Sequence, residues 1–96
     1  MARTSSTVTH NENGQQFEMP VPSGQAVLRY KRGSGQIDLL HTIVPAEDEG
    51  NGHGTALVEA AFDYARGAGL EVVPTCPFVK AYVDKHPEQR DIVTYP

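Results

Sequence analysis

The sequence predicts an α+β domain in which two main helices pack on a mixed, mostly antiparallel sheet of about five strands. Two observations support this fold class. The first half of the chain contains short strand-like segments separated by turn residues. The second half contains two segments of helical periodicity around one short apolar segment. The length of 96 residues corresponds to a single domain, which we assign to residues 7–96 after a disordered tail of residues 1–6.

Three groups of turn residues divide the first part of the chain into four predicted strands. The pair Asn13-Gly14 tolerates positive φ in a tight hairpin. Ser23-Gly24 and the glycines between Arg32 and Gln36 mark the next two connections. Because the connections are short, we expect antiparallel pairing. The predicted strands are Thr7–Asn11, Gln15–Val21, Gln25–Lys31 and Gln36–Val44.

The segment Gln36–Val44 has the strongest strand character. Regular alternation predicts two faces, one with Ile37, Leu39, His41 and Ile43 and the other with Leu40, Thr42 and Val44. Because both faces are largely apolar, the sequence predicts a central strand that is covered on both sides.

After this strand the spacing of apolar residues changes to that of a helix. One apolar stripe runs from Leu57 to Ala68, and Gly67 and Gly69 are typical of the end of a helix. Leu70–Thr75 is then predicted as a short buried strand. The connection from the central strand through this helix to Leu70–Thr75 predicts a parallel, right-handed β-α-β crossover.

A second helix is predicted to begin at Pro77, a favourable first residue, and to run to about Lys85. His86-Pro87 ends it, and one further turn is expected over Pro87–Ile92.

Composition and charge exclude several classes of function. Eight basic and twelve acidic residues give a net charge of −4, without the basic cluster that nucleic-acid binding requires. No apolar segment approaches the ~20 residues of a membrane span, and Met1–His10 lacks the apolar core of a signal peptide. The single cysteine, Cys76, forms no intramolecular disulfide, and the four histidines lack metal-ligand spacing. We therefore expect a cytoplasmic monomer without a metal, a nucleic-acid partner or a membrane partner.

A glycine-rich loop joins the strongest strand to the longest helix, with the sequence Gly50-Asn51-Gly52-His53-Gly54-Thr55. At such a junction, free backbone N–H groups and the positive end of the helix dipole can bind an anion. The loop lacks the Lys-Ser/Thr pair of a P-loop, and Thr55 stands where a dinucleotide-binding motif has its third glycine. The alternative interpretation is a flexible loop that only opens the helix.

Two segments resemble the GCN5-related N-acetyltransferases. The first is His41-Thr42-x-Val44-Pro45, followed by the glycine-rich turn and an alanine-rich helix. The second is Cys76-Pro77-Phe78 after the last strand, followed by Tyr82 and His86-Pro87-Glu88. This second segment is similar to the smallest proteins of the family, which consist of the acetyl-CoA-binding core alone. The resemblance extends roughly from Ile37 to Val93.

The resemblance implies acetyl-CoA as the cofactor and an amine as the acceptor. Gly52 and Gly54 match the last two positions of the family pattern Arg/Gln-x-x-Gly-x-Gly/Ala, whose backbone amides hold the pyrophosphate of CoA. The backbone near His41–Val44 is expected to pair with the pantetheine arm. The implied cofactor-binding residues are Thr42, Ile43, Val44, Gly50, Asn51, Gly52, His53, Gly54, Thr55, Pro77 and Phe78.

Glu49 departs from the family pattern, because it stands where the family usually has Arg or Gln. Together with Glu47 and Asp48, it places three acids beside the expected phosphate site. Repulsion between exposed charges in water is only about 1 kcal/mol at 4 Å, so these acids weaken phosphate binding without excluding it. The alternative is that the acids interact with the helix N-terminus and occupy the amides that a cofactor needs.

Cys76, His41 and Tyr82 are the candidate catalytic residues. Cys76 precedes the second helix, whose dipole lowers the pKa of a thiol, although buried cysteines are often simple apolar fillers. His41 is a candidate general base for the amine or for Cys76, or else a core histidine. Tyr82 matches the tyrosine that acts as a general acid near the CoA sulfur in the family, or else it packs against its helix neighbours.

Two functions are consistent with the sequence. The first is acetyl transfer to an amine, either by direct attack with His41 as the base or through an acetyl-Cys76 intermediate. The second is a non-catalytic CoA-binding or protein-interaction module with the same fold, which Glu49 and the small size favour. The negative net charge favours a cationic acceptor.

Overall fold

Five strands form one sheet in the computed structural model, which describes residues 8–95. In chain order they are β1 (Thr9–Asn11), β2 (Gln16–Val21), β3 (Gly24–Gly33), β4 (Gln36–Ile43) and β5 (Glu71–Pro74). The spatial order is the same, with antiparallel pairing from β1 to β4 and parallel pairing of β4 with β5. The predicted mixed sheet is thus confirmed. The predicted tail, residues 1–6, and Thr7 lie outside the described residues.

Two helices cover one face of the sheet. α1 (His53–Ala68) connects β4 to β5, and α2 (Pro77–Lys85) follows β5. α1 begins one turn before the predicted apolar stripe, directly after the glycine loop. Gly69 ends it in the left-handed conformation, with φ of 71°. Residues 8–95 also contain two 3₁₀ segments, Ala46–Asp48 before the loop and Pro87–Ile92 after α2.

The hydrophobic core lies between these helices and the sheet. The helices contribute mainly Leu57, Val58, Ala61, Phe62, Ala65, Val79, Tyr82 and Val83. The sheet contributes Phe17, Met19, Val21, Ala26, Leu28, Tyr30, Ile37, Leu39 and Val72. The rings of Phe62 and Tyr82, whose centroids are 5.6 Å apart, join the two helices. Each large side chain that is fully buried here stabilises the fold by about 1.5–3 kcal/mol.

The opposite face of the sheet, which we call the open face, is not covered by either helix. Arg29 and Lys31 of β3 and His41 of β4 are exposed on it. The prediction that the central strand is covered on both sides is therefore wrong. The hydrophobic residues of β4 are buried on one face only.

β4 contains a bulge at Leu40. Tyr30 of β3 pairs with Leu39, whereas the preceding residue Arg29 pairs with His41, so Leu40 has no partner in β3. One extra residue in a strand shifts the alternation of all following side chains by one position.

The bulge reverses the predicted faces at the end of β4. Thr42 pairs with the buried Leu28 and therefore lies on the face that the helices cover. His41 and Ile43 lie on the open face, where both are exposed. The predicted grouping of His41 and Ile43 with Leu39 is therefore wrong.

The first hairpin also differs from the prediction. The residue with positive φ is Gln15, at 53°, and not Asn13 or Gly14. The Gly14 N–H donates to Asn11 Oδ1 at 2.9 Å, and a Cβ at Gly14 would lie 2.9 Å from Asn11 Nδ2. An alanine at this position would require the Asn11 side chain to shift, so glycine is favoured here by space and not by its backbone angle.

The segment after α2 packs back on α1 and β5. Arg66 of α1 makes two hydrogen bonds to Asp91, Nη2 to Oδ1 at 2.7 Å and Nη1 to Oδ2 at 2.9 Å. The Thr94 N–H donates to the Val72 carbonyl at 2.9 Å, which extends the edge of β5. Within residues 8–95, no helix has both the length and the hydrophobicity needed to cross a bilayer.

Candidate functional site

The glycine loop leaves the N-terminus of α1 without a side-chain cap. Gly52 occupies the cap position with φ of 83°, and no side-chain hydrogen bond is made there. The first intrahelical bond runs from the Ala56 N–H to the Gly52 carbonyl at 3.0 Å. The N–H groups of His53, Gly54 and Thr55 therefore have no partner within the helix, and they carry its partial positive charge.

Two of the three acids before this loop contact the turn between β2 and β3. Asp48 is buried, and its Oδ2 accepts a hydrogen bond from the Ser23 N–H at 3.1 Å. Glu47 Oε1 accepts a hydrogen bond from the Ser23 hydroxyl at 2.6 Å. In the described part of the chain, neither Glu47 nor Asp48 caps α1. These two acids therefore do not occupy the N–H groups that a cofactor would need.

A cavity of about 460 Å³ lies beside these N–H groups. Its volume is within the range of about 300–1,000 Å³ that is typical of small-molecule sites. It is bounded by the loop, by the end of β4 and by the start of α2. The lining residues are Thr42, Val44, Asp48, Glu49, Gly50, Gly52, His53, Gly54, Thr55 and Phe78.

Phe78 forms one wall of this cavity and lies against the glycine loop. A Cβ at Gly54 would come within 2.9 Å of Phe78 Cζ, so only a glycine allows the ring its present position. Phe78 is 42% exposed, so its ring is accessible to a ligand in the cavity.

β4 and β5 separate beside the cavity. Their ladder ends at the pair Leu39–Pro74, after which the Cys76 N–H donates to the Leu39 carbonyl at 2.9 Å and the chain enters α2. Because β4 continues to Ile43, its last residues extend beyond the ladder with β5. Such a strand edge offers backbone donors and acceptors to an extended ligand.

Cys76 lies directly behind Thr42, which lines the cavity. The Cys76 Sγ is 3.5 Å from Thr42 Oγ1, and the side chain is only 4% exposed. Burial raises the pKa of the Cys76 thiol. Hydrogen bonds from the Thr42 hydroxyl and from the backbone N–H groups of Val79, Phe78 and Thr42 together lower this pKa by more. The net effect favours the thiolate, as expected for a cysteine at the start of a helix.

The structure does not bring His41 together with Cys76. Because of the bulge at Leu40, His41 lies on the open face, opposite to its neighbour Thr42, and it is exposed. The interpretation of His41 as a core histidine is therefore wrong, and the structure does not place His41 where it could act as a base for Cys76.

Tyr82 is buried between the helices and does not line the cavity. Its hydroxyl accepts a hydrogen bond from Gln89 Nε2 at 3.0 Å, and its ring stacks on that of His86 at a centroid distance of 4.3 Å. Burial raises the pKa of the Tyr82 hydroxyl, which keeps it protonated. Its role as a general acid stays a prediction.

Most of the predicted cofactor-binding residues line the cavity, and three do not. Ile43 is on the open face with 51% of its side chain exposed. The Asn51 side chain donates to the Asp48 carbonyl at 3.2 Å. Pro77 is the first residue of α2 and is exposed.

The contact between Asp48 and Ser23, which joins the segment before the loop to the sheet, could not be predicted from the sequence. The two residues are 25 positions apart, and no local pattern indicates that they meet. The same is true of the Thr42 side chain, whose contact with Cys76 depends on the bulge. Among residues 8–95, no group of three or more His, Cys, Asp or Glu side chains is arranged to hold a metal ion.

Comparisons with known proteins identify the family. The model of the GCN5-related N-acetyltransferase family matches residues 16–92. The solution structure of a GCN5-like protein from Staphylococcus aureus is similar, with 23% sequence identity and a TM-score of 0.72. The similarity covers 93% of this chain and 88% of that chain, and it shows a common fold. Because the family match extends over most of the chain and agrees with the fold and the glycine loop, this protein belongs to the GCN5-related N-acetyltransferases.

Proposed function

We propose that this protein binds acetyl-CoA and transfers the acetyl group to an amine. The observation that carries the proposal is the cavity at the N-terminus of α1, where backbone N–H groups have no side-chain cap. Membership of the acetyltransferase family supports the same function.

The backbone of this chain fits the two polar parts of CoA. The N–H groups of the segment Gly52–Thr55 would hold the diphosphate, because uncapped helix N-termini favour phosphate. The edge of β4 beyond Leu39 would pair with the amides of the pantetheine arm. When bound, acetyl-CoA would supply an activated acetyl thioester.

Cys76 is the proposed nucleophile of a covalent route. Its thiolate would attack the acetyl carbonyl, which forms a C–S bond at Cys76 while the bond to the coenzyme sulfur breaks. The acceptor amine would then take the acetyl group from Cys76, and its proton would pass to the released thiolate of CoA. The hydrogen bonds from Thr42, Phe78 and Val79 support this role, because they favour the thiolate.

Direct attack by the amine is the alternative route. His41 would then be a base for an acceptor that approaches from the open face, where its ring is exposed. The two routes differ in one product. After incubation with acetyl-CoA and rapid quenching, mass spectrometry should detect acetylated Cys76 only in the covalent route. A Cys76→Ala variant that keeps full acetyl transfer would reject that route.

Ligand-dependent thermal stability tests CoA binding itself. CoA at a hundred times its Kd should add about 2.7 kcal/mol to the free energy of unfolding. A Thr55→Glu variant should fold, since a carboxylate is favourable in the first turn of a helix, but it should lose this shift. Thr55→Val is the matched control and should keep the shift. If millimolar CoA does not stabilise the unaltered protein, the proposed function is wrong.

A non-catalytic CoA-binding or protein-interaction module is a second candidate. Glu49 favours it, because a carboxylate lines the cavity where the family usually has Arg or Gln. This candidate would be supported if CoA stabilises the protein while Cys76→Ala and His41→Ala leave the turnover of acetyl-CoA unchanged.

A further inference from the structure

A groove of about 100 Å³ adjoins the main cavity at Phe78. Thr55 and Phe78 line both spaces, so the groove begins where the proposed diphosphate site ends. We call it the α2 groove. Its remaining lining residues are Ala81, Tyr82, Lys85 and His86, all at or after the second turn of α2.

Lys85 supplies a positive charge at the far end of the α2 groove. Among the ion pairs of residues 8–95, none involves Lys85, so no carboxylate within salt-bridge distance neutralises it. His86 is less available, because its ring stacks on Tyr82 and its Nδ1 lies 3.3 Å from Glu88 Oε2.

Three carboxylates near Tyr82 make the surroundings of the groove negative apart from Lys85. Burial raises the pKa of the Tyr82 hydroxyl and the hydrogen bond from Gln89 opposes this, while the charges of Glu59, Glu88 and Asp63 raise the pKa further. An anion in the α2 groove would therefore depend on Lys85, and removal of this lysine would leave the anion facing net negative charge.

We propose that the α2 groove binds the 3′-phosphate on the ribose of CoA, with Lys85 as its cationic partner. This inference rests on the proposed function, since it assumes that the diphosphate lies at the N-terminus of α1. CoA carries its third phosphate on the nucleoside side of the diphosphate, away from the pantetheine arm. In the proposed function the pantetheine arm pairs with β4, so the nucleoside must extend from the diphosphate in another direction. The α2 groove offers such a direction, because it adjoins the glycine loop at Thr55.

The alternative explanation of Lys85 is local. It lies in the last turn of α2, where a cation favourably meets the negative end of the helix. This role requires no ligand and predicts no difference between CoA and a form of CoA that lacks the 3′-phosphate. A comparison of the two ligands therefore separates the explanations.

The test measures the affinity of the full chain for CoA and for 3′-dephospho-CoA by isothermal titration calorimetry. We expect CoA to bind about three- to tenfold more tightly, as for one exposed charge-assisted contact to phosphate. In Lys85→Gln the ratio of the affinity for CoA to that for 3′-dephospho-CoA should fall to about one, while the affinity for 3′-dephospho-CoA itself should not change. Lys80→Gln, a change of an exposed lysine of α2 outside the groove, should keep the preference.

Besides equal affinity of the unaltered protein for the two ligands, three results would overturn this proposal, and they are distinguishable. Equal loss of affinity for both ligands in Lys85→Gln would show a structural role of the lysine. An equal effect of Lys80→Gln would show a general effect of charge. If neither ligand binds to the unaltered protein, the proposed function fails as well, whereas in the first two cases it stands.

Discussion

At the scale of single residues, Thr42 connects the cavity with the buried thiol. Its side chain lines the cavity and its hydroxyl lies 3.5 Å from Cys76 Sγ, while its own N–H also faces the sulfur. A buried cysteine without polar neighbours would be of the ordinary, unreactive kind. The contact with Thr42 gives this cysteine a polar environment on the cavity side.

Replacement of Thr42 by Val should raise the pKa of Cys76. The substitution keeps the shape of the side chain and removes the hydroxyl that stabilises the thiolate. The thiolate absorbance, titrated against pH, should show a midpoint at higher pH, and alkylation at neutral pH should be slower. Thr42→Ser should restore the midpoint. Thr75→Val is the matched control, because the Thr75 hydroxyl donates to Asp38 and not to Cys76. An unchanged midpoint in Thr42→Val would contradict this account of the thiol.

Gly54 and Phe78 should be energetically coupled. In Gly54→Ala the new Cβ, 2.9 Å from Phe78 Cζ, would force the ring to move. In a Phe78→Ala background the same change should be harmless, which gives a coupling energy of about 1 kcal/mol in a double-mutant cycle of chemical denaturation. Gly67→Ala in the same helix meets no neighbour and should stabilise the protein by about 0.5–1 kcal/mol. Additive effects of Gly54→Ala and Phe78→Ala would show that the ring does not lie against the loop.

At the scale of elements, the bulge in β4 determines which residues face the cavity. Regular alternation correctly places Ile37 and Leu39 in the core, but it fails after Leu40. A bulge depends on how two strands pair over several residues, and no turn residue or glycine marks it in this segment. The strand itself could therefore be predicted from the sequence, whereas the direction of its last side chains could not.

The stability of two variants tests the bulge directly. Leu39→Ala should cost about 2–5 kcal/mol, because Leu39 is fully buried. His41→Ala should change the stability by less than about 0.5 kcal/mol, because His41 is exposed on the open face. Regular alternation would place both residues on one buried face and predicts a large cost for each. Urea denaturation of the two variants decides between these outcomes.

At the scale of the whole molecule, the segment after α2 is attached to α1 by an ion pair. Arg66 binds Asp91 through two hydrogen bonds and also donates to Gln89 Oε1 at 2.8 Å. Gln89 in turn donates to the Tyr82 hydroxyl, so this exposed contact is continuous with the core. The end of the chain thereby restrains the relative position of α1 and α2, which bound the proposed coenzyme site.

This ion pair should make the stability depend on pH in the acid range. The hydrogen bonds from Arg66 lower the pKa of Asp91 below its ordinary value of 3.8. A carboxylate whose pKa is lowered by folding stabilises the fold at a pH above its ordinary pKa. This contribution is lost as the pH falls through the pKa of the folded state. Thermal melting of Asp91→Asn should therefore show a weaker decrease of Tm with acid than the unaltered protein. In an Arg66→Gln background the Asp91→Asn change should have no such effect, and a persisting difference would contradict the assignment.

The sequence by itself determined the family, the order of the elements and the position of the glycine loop. These features depend on local properties: the periodicity of apolar residues, the glycines that open and close α1, and the proline that begins α2. Only the tertiary structure decided which polar side chains meet. The contact of Thr42 with Cys76 spans 34 positions and requires the bulge, and that of Ser23 with Asp48 spans 25. Such contacts arise from strand register and chain packing, which link distant residues and leave no trace in a local pattern.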